Sequence, residues 1–475
     1  MLGVNHRLPD YSLLGEPELS FDPVGGSKSD PHPLRGLASR GPYSSKLSPA
    51  RVGSPIRLAL ITVEGHGSAV RDYLASLQGR HTSPAKSSYF PPFEGFGSVF
   101  KVDVQVPQGR RDAVALIPAQ EAEEALTGSE PERVFLGLIE STVRSLLLRR
   151  TEFDVLAFYF PSFLSPVFRV GGGAYDFDLH HTTKAITANL GIPSQLIIDR
   201  SIEFQDRCSV LWSLSVALFA KAGGIPWKLS GARTGTAYIG LSYVLRTVGE
   251  RRTVLTCCSQ VFDDEGHGLQ FLLFTADDFT VIAKNPFLKK TDMRRLMLKT
   301  LDVYVRQAGQ LPKRLVVHKT THFTREEREG AAEALGGLDD YELLQVQEET
   351  AWSAVKGARR YPTPYPVDRG TVLPISKHSY LLWTQGDAQG LVEPGRSYYQ
   401  EGKGIPFPLL ITQHAGSTPL LDSAAEILSL TKMNWNTGRL YNNLPVTIKS
   451  ASTLGKIAKF MPSISPSPYQ FRMFM

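Results

Sequence analysis

The 475 residues carry 52 Lys and Arg against 46 Asp and Glu, a formal net charge of +6, with 42% hydrophobic and 21% charged residues. At roughly 150 residues per domain this length implies about three domains and a core that needs no disulfides, which excludes a stapled mini-protein or a single small module. No apolar run is long enough to span a membrane, the N-terminal stretch lacks a secretory signal pattern, and three cysteines, two of them adjacent (Cys257 and Cys258), make neither a disulfide framework nor a four-thiolate zinc site. A cytoplasmic protein is expected.

Residues 1–55 hold 24 Gly, Pro and Ser with scattered apolar side chains (Leu13, Leu14, Leu19, Phe21). Such a stretch cannot build its own core, so it reads as an extended strap laid over the body of the protein or over a partner. The pattern changes at Ile56. IRLALITV (56–63) reads as a strand, 68–77 as a helix, and FKVDVQV (100–106) as an alternating strand; 131–150 has helical apolar spacing opened by Pro131. FDVLAFYFP (153–161) is a buried strand, 176–191 a helix closed by Gly191, SQLIID (194–199) a strand, and the run around 210–220 a buried helix. Alternating strands and helices predict a parallel, Rossmann-like sheet over 56–230.

From residue 231 the rhythm differs. Segments 236–246, 252–262 and 269–274 are three successive strands joined by short turns, an antiparallel meander. A helix (291–309), a strand (314–320), a helix (324–337) and a strand (340–347) follow, the element order of an RNase H-like fold over 231–475. Charge placement adds a further signal. After Glu426 the chain has 49 residues without an acid but with Lys432, Arg439, Lys449, Lys456, Lys459 and Arg472, the footprint expected where phosphates approach; a solvated basic tail is the ordinary alternative.

Four residues converge on anion chemistry. His180 and Lys184, four apart on one helix, share a face near an N-terminus whose amides attract anions; Gln195 follows on the next strand, and Lys221 ends the next helix before GGIPWKL. Two cations and an amide would suit a terminal phosphate. Taken singly, Lys221 has an ordinary explanation in the helix dipole, and a His on a mixed face is usually packed.

The stretches HHTTKAITANLGIPSQLIIDR (180–200) and ALFAKAGGIPWKL (217–229) resemble the 5′-phosphate pocket region of Argonaute proteins, and LTKMNWNTGRLYNNLPVTIKSASTLGKIAKFM (430–461) resembles their last PIWI segment. The opening EPELSF, with Gly36–Leu37 and Gly41–Tyr43, is similar to the start of the short prokaryotic branch, which keeps MID and PIWI domains and lacks N and PAZ. The resemblance implies a Rossmann-like MID domain (56–230) followed by an RNase H-like PIWI domain (231–475). It places His180, Lys184, Gln195 and Lys221 at the guide 5′-phosphate, His180 standing where many relatives have Tyr. It also implies a Mg2+ ion held between that phosphate and the C-terminal carboxylate of Met475, and nucleic-acid backbone contacts for Lys449, Lys456 and Lys459.

Metal-assisted cleavage in such a fold needs carboxylates on the first strand, the fourth strand and the last helix. The sequence offers Leu241 and Ser242, then His318, Lys319 and Thr320, then a helix with no acid. Asp263, Asp264 and Glu265 beside Gly266 read as a hairpin loop, Gly171 to Gly173 as a turn without dinucleotide spacing, and alternation sends Cys257 and Cys258 to opposite faces of a strand. The expectation is a guide-binding subunit with no catalytic residues of its own. By the resemblance it takes a guide RNA and a single-stranded DNA target, and acts in a heterodimer with an APAZ-containing effector (sirtuin-like or TIR NADase, or nuclease) in antiviral defence by NAD depletion or nucleic-acid damage, the strap contributing to docking. The competing readings are an active RNase H-type guided nuclease and an α/β scaffold without a nucleic-acid role.

Overall fold

The computed structural model describes residues 10–23, 29–47, 51–84, 89–109, 111–170, 177–248, 251–261, 270–348, 350–358, 361–388, 391, 404–465 and 467–475. The acidic loop 263–265, Gly171 to Gly173 and the side chains of Cys257 and Cys258 lie outside this description.

The strand Ile56–Val63 is an unbroken apolar run because neighbours cover both its faces. It pairs in parallel with Val155–Phe160, which pairs in parallel with Ser194–Ile198; Val104–Gln105 and Val114–Ile117 pair with its other edge. Ala59, Ile61 and Val63 point to a core shared with Phe135, Ile139 and Val143 of the helix Pro131–Leu147. Leu58 and Leu60 point the other way, into a core with Val70, Leu211 and Leu218. The expected Rossmann-like layer is present, with one correction. In 100–106 only Val104–Gln105 is a strand, since 96–100 close a short helix and Lys101 takes a left-handed turn. Val114–Ile117 and the helix Ala119–Thr127 carry the layer's missing edge, and sequence reading passed over both.

The second layer is a ten-stranded mixed sheet. Its centre is the meander Thr236–Val248, Arg251–Val261 and Gln270–Ala276, with Arg314–Lys319 parallel to the first of these and Asp340–Gln347 parallel to Arg314–Lys319. Ala237, Ile239, Leu241 and Val317 face the helices Lys290–Ala308 and Arg325–Leu335, while Tyr238, Val244 and Val316 face the last helix, Val446–Ala458, so one period-two alternation feeds two cores. Leu409–Ala415, Ser379–Leu382 and Thr371–Ser376 extend the sheet past Asp340–Gln347. Ser12–Leu13 and Tyr469–Gln470 close its two edges, so segments near both ends of the sequence cover backbone that would otherwise stand open to pairing.

The strap is integral to this body. Leu19, Phe21, Leu34 and Leu37 are fully buried in the core that also holds Trp212, Trp227 and Met475, each contributing about 1.5–3 kcal/mol of burial. Leu19 and Phe21 are therefore unavailable to a partner, contrary to the docking expectation; Leu13 remains exposed. Glu16 anchors the strap from beneath. Its carboxylate meets the Arg369 guanidinium at 2.9 Å and the Lys432 ammonium at 2.5 Å, both cations fully buried. Burial alone would raise the Glu16 carboxyl, but the two cations outweigh it and hold it below its usual value. Lys432 is thus a structural ion-pair partner and not part of a phosphate-facing surface, a second correction.

Candidate phosphate pocket and nucleic-acid face

The helix Leu179–Asn189 begins at Asp178, whose side chain accepts from the His181 amide at 3.0 Å, while the Leu179 amide donates to the Phe168 carbonyl. Two of the first-turn amides, those of Leu179 and His181, are therefore engaged by the protein itself.

Lys184 lies one and a half turns into the helix, is 3% exposed, and donates to the Ser194 carbonyl and to the backbone oxygen of Met475. Lys221, 1% exposed, ends the helix Arg207–Lys221, and its ammonium donates to the Gln195 side-chain oxygen. Gln195 in turn donates to the Leu196 carbonyl at 2.9 Å. Ser194 and Gln195 are presented by the strand register that sets them beside Leu156 and Ala157. His180, on the same helix as Lys184, is exposed, its ring 5.3 Å from that of His181. The fold thus brings Lys184, Gln195, Lys221 and Met475 into one buried cluster and leaves His180 at its solvent side.

Electrostatically the cluster is poised for an anion. Burial pushes the Lys184 ammonium down to about 7, and burial with repulsion from Lys184 pushes Lys221 well below its usual value. Ser194 and Gln195 offer neutral oxygen acceptors, which satisfy hydrogen bonds but do not balance charge, and the Met475 backbone oxygen is a further acceptor for Lys184. Two consequences follow for pH. With folded-state values below the usual 10.5, the folded protein sheds protons that the unfolded chain retains, so without an anion stability rises from about pH 7 toward 10.5. A bound phosphate restores the charge, so binding takes up protons, and affinity for a 5′-phosphorylated strand is expected to fall by up to about tenfold per pH unit for each proton taken up. Titrations between about pH 6.5 and 9 check this; a flat profile for the phosphorylated strand contradicts it, and a 5′-hydroxyl strand provides the insensitive control.

The residues fit a magnesium ion poorly. The Met475 oxygen expected to hold it is engaged by a lysine cation. Nearby, Asp178, His180 and His181 bring ligand atoms within 4.8 Å of one another, but this set is nitrogen-rich and unlike the oxygen shell a hard ion prefers. Asp178 is moreover committed to its helix cap, to Arg169 at 3.1 Å and to His181 at 3.3 Å. Sequence reading overlooked Asp178, although an Asp two residues before His180 at a helix start is a visible capping signal.

The last helix, Val446–Ala458, buries Val446, Ile448, Leu454 and Ile457 on the large sheet. Lys449, Lys456 and Lys459 are exposed, and at 3.6 residues per turn they fall on one side of the helix. Lys449 is the fourth helical residue. Asn189, at the end of the Lys184 helix, donates to the Ser463 hydroxyl at 3.2 Å just beyond this helix, so pocket and lysine stripe belong to one surface region.

Ser242 pairs with Cys257 on the neighbouring strand, and His318 is buried with Nδ1 2.8 Å from the Thr447 hydroxyl of the last helix. Lys319, on the opposite face, is buried against Glu327 at 2.6 Å beneath the rings of Tyr243, Phe287 and Phe323. Glu327 also accepts from Tyr243 and caps its own helix from Thr324.

A Rossmann-like layer with a buried cationic pocket, joined through a shared core to an RNase H-like sheet, is the MID–PIWI architecture of Argonaute proteins. No protein-family model matches the chain. It is 27% identical over 279 residues to the argonaute protein of Thermus thermophilus, covering 58% of this chain and 36% of that one, and 22% identical over 287 residues to that of Aquifex aeolicus, covering 60% and 35%. Among solved structures, Clostridium butyricum Argonaute bound to a guide DNA and a 19-mer target DNA matches with a TM-score of 0.69 at 16% identity, over 98% of this chain and 55% of that one. The chain is a homologue of the Argonaute proteins and shares their fold, spanning about a third of the length of these curated relatives.

Proposed function

We propose that this protein holds a short guide strand by its 5′ phosphate in the Lys184–Gln195–Lys221–Met475 pocket and uses the guide to recognise a complementary single strand by base pairing. The buried lysine pair carries this reading, because it lies within a fold that in the Clostridium butyricum protein accommodates guide and target DNA. Specificity then resides in the guide, while the protein contacts backbone and shape. The guide is RNA and the target single-stranded DNA on the resemblance to the short branch. Exposed His180 either stacks on the first base or adds a hydrogen bond to the phosphate, and any magnesium ion would need the guide phosphate and water for most of its ligands.

The proposal includes an absence of cleavage, supported by Ser242, Lys319 and the acid-free last helix where metal-binding carboxylates are needed. A target-binding protein without cleavage has no chemical output of its own, so recognition passes to an APAZ-containing effector, an NADase or a nuclease, giving defence by NAD depletion or nucleic-acid damage. The test compares 5′-phosphate with 5′-hydroxyl guides, then incubates the loaded protein with a matched target and Mg2+ or Mn2+. Preference for the phosphate with an intact target supports the reading. Equal binding removes the guide pocket, and a cut at one defined target phosphate removes the non-cleaving assignment. Coexpression with the neighbouring reading frame, with NAD consumption measured for matched and mismatched targets, tests the effector.

The lysine stripe gives a separate expectation. Changing Lys449, Lys456 or Lys459 to Ala should flatten the dependence of log affinity on log salt by up to about one unit for each phosphate that is no longer neutralised, with no change in base preference. A reduced Tm with an unaltered salt slope would instead identify packing residues.

A further inference from the structure

The start of the helix Leu179–Asn189 gathers three metal-ligating side chains. Asp178, His180 and His181 each offer one ligand atom, and these atoms lie within 4.8 Å of one another. The backbone beneath them is well fixed. Asp178 pairs with Arg169 in a short antiparallel ladder, its Oδ1 accepts from the His181 amide at 3.0 Å, and its carbonyl accepts from the Thr182 hydroxyl at 2.8 Å. Oδ2 is the oxygen left for a ligand. It stands 3.3 Å from Nδ1 of His181. Ligand atoms about 2.0–2.1 Å from a zinc ion are about 3.3–3.4 Å apart at tetrahedral angles, so this is the separation of two zinc ligands. The other cation on Oδ2, the Arg169 Nε at 3.1 Å, belongs to a side chain 82% exposed, and exposed pairs of that kind are weak enough for a divalent ion to displace. His180 is free to complete the set, being exposed and making no hydrogen bond through its ring among the described residues.

We infer that Asp178, His180 and His181 bind a divalent transition-metal ion of the zinc class. Two imidazoles and one carboxylate are a common three-ligand set for zinc, and imidazole favours zinc, cobalt and nickel over magnesium. Three protein ligands leave a fourth tetrahedral position for water or for an oxygen of a bound anion. One carboxylate does not neutralise a divalent ion, and the remaining positive charge adds to the attraction that Lys184, on the same helix, exerts on a phosphate. Ligands and metal both differ from a magnesium ion held by the Met475 carboxylate. The ion binds to the free chain, so this site and the guide pocket can fail separately.

The experiment titrates the full chain, stripped of metal and nucleic acid, with Zn2+, Co2+ and Mg2+ by calorimetry, and follows Co2+ by its visible spectrum. One equivalent of Zn2+ or Co2+ is expected to bind at micromolar concentration or below, with the intense spectrum of low-coordinate Co2+, lost on adding Zn2+ and unaffected by millimolar Mg2+. His180→Ala, His181→Ala and Asp178→Asn should each weaken binding at least about tenfold. Asparagine is as good a helix cap as aspartate, so Asp178→Asn removes the charge and keeps the helix start. His180 is exposed, so its variant keeps the test valid if His181→Ala fails to fold. His378→Gln, which alters an exposed histidine in a turn of the large sheet, should leave binding unchanged. No saturable binding of Zn2+ or Co2+ at micromolar concentration, equal competition by Mg2+, insensitivity to any of the three ligand substitutions, or equal weakening by His378→Gln overturns the inference.

Discussion

Replacing Lys184 or Lys221 is expected to weaken binding of a 5′-phosphorylated guide by about tenfold to a hundredfold, the equivalent of one charge-assisted hydrogen bond of about 1.5–3 kcal/mol. The same changes should leave a 5′-hydroxyl strand almost unaffected. Methionine is the informative substitute, since it keeps the volume of the buried stem and removes only the ammonium. Both amines are held below their usual protonation range by burial, so Lys221→Met relieves an unfavourable buried charge, and the free protein should become more stable as it loses its ligand. Opposite signs in affinity and Tm are what a binding residue predicts. Reduced Tm with unchanged affinity would show that both lysines serve the fold. Because they address one phosphate, the double variant should lose less than the sum of the single losses.

The second large effect concerns the strap. Glu16→Gln would leave Arg369 and Lys432, both fully buried, without the carboxylate that joins them, and breaking a buried ion pair from one side costs about 3–5 kcal/mol. Denaturant unfolding should register that loss, and limited proteolysis should then cut within the first 40 residues, because the same segment seats Leu19 and Phe21 in the core. A change below about 1 kcal/mol would mean that apolar burial alone retains the strap. Restoration by the triple variant Glu16→Gln, Arg369→Met, Lys432→Met would assign the cost to uncompensated charge.

Local pattern made much of the architecture legible. Apolar runs such as 56–63 and 155–160, the Pro131 helix start and the Gly191 and Gly309 stops are written in nearest-neighbour chemistry, so alternating layers and an RNase H-like order could be read directly. The short edge strands were not legible. Ser12–Leu13 and Tyr469–Gln470 are two residues long, and a two-residue strand has no period; it exists because a partner strand offers unpaired backbone. The same division runs through the candidate site. Residue type and spacing nominated His180, Lys184, Gln195 and Lys221, but spacing cannot say whether a lysine is solvated or buried. Only the packing of the Lys184 helix against Ser194 and Met475 decides that its ammonium is buried, and only the contact of Glu16 with Lys432, 416 positions apart, removes that residue from an otherwise uniform basic segment. Charge along the chain fixes the sign of the field. Which cations reach solvent, and which neutralise a buried acid, is decided by tertiary contacts, because desolvation and Coulomb attraction depend on distance in space and not on position in sequence.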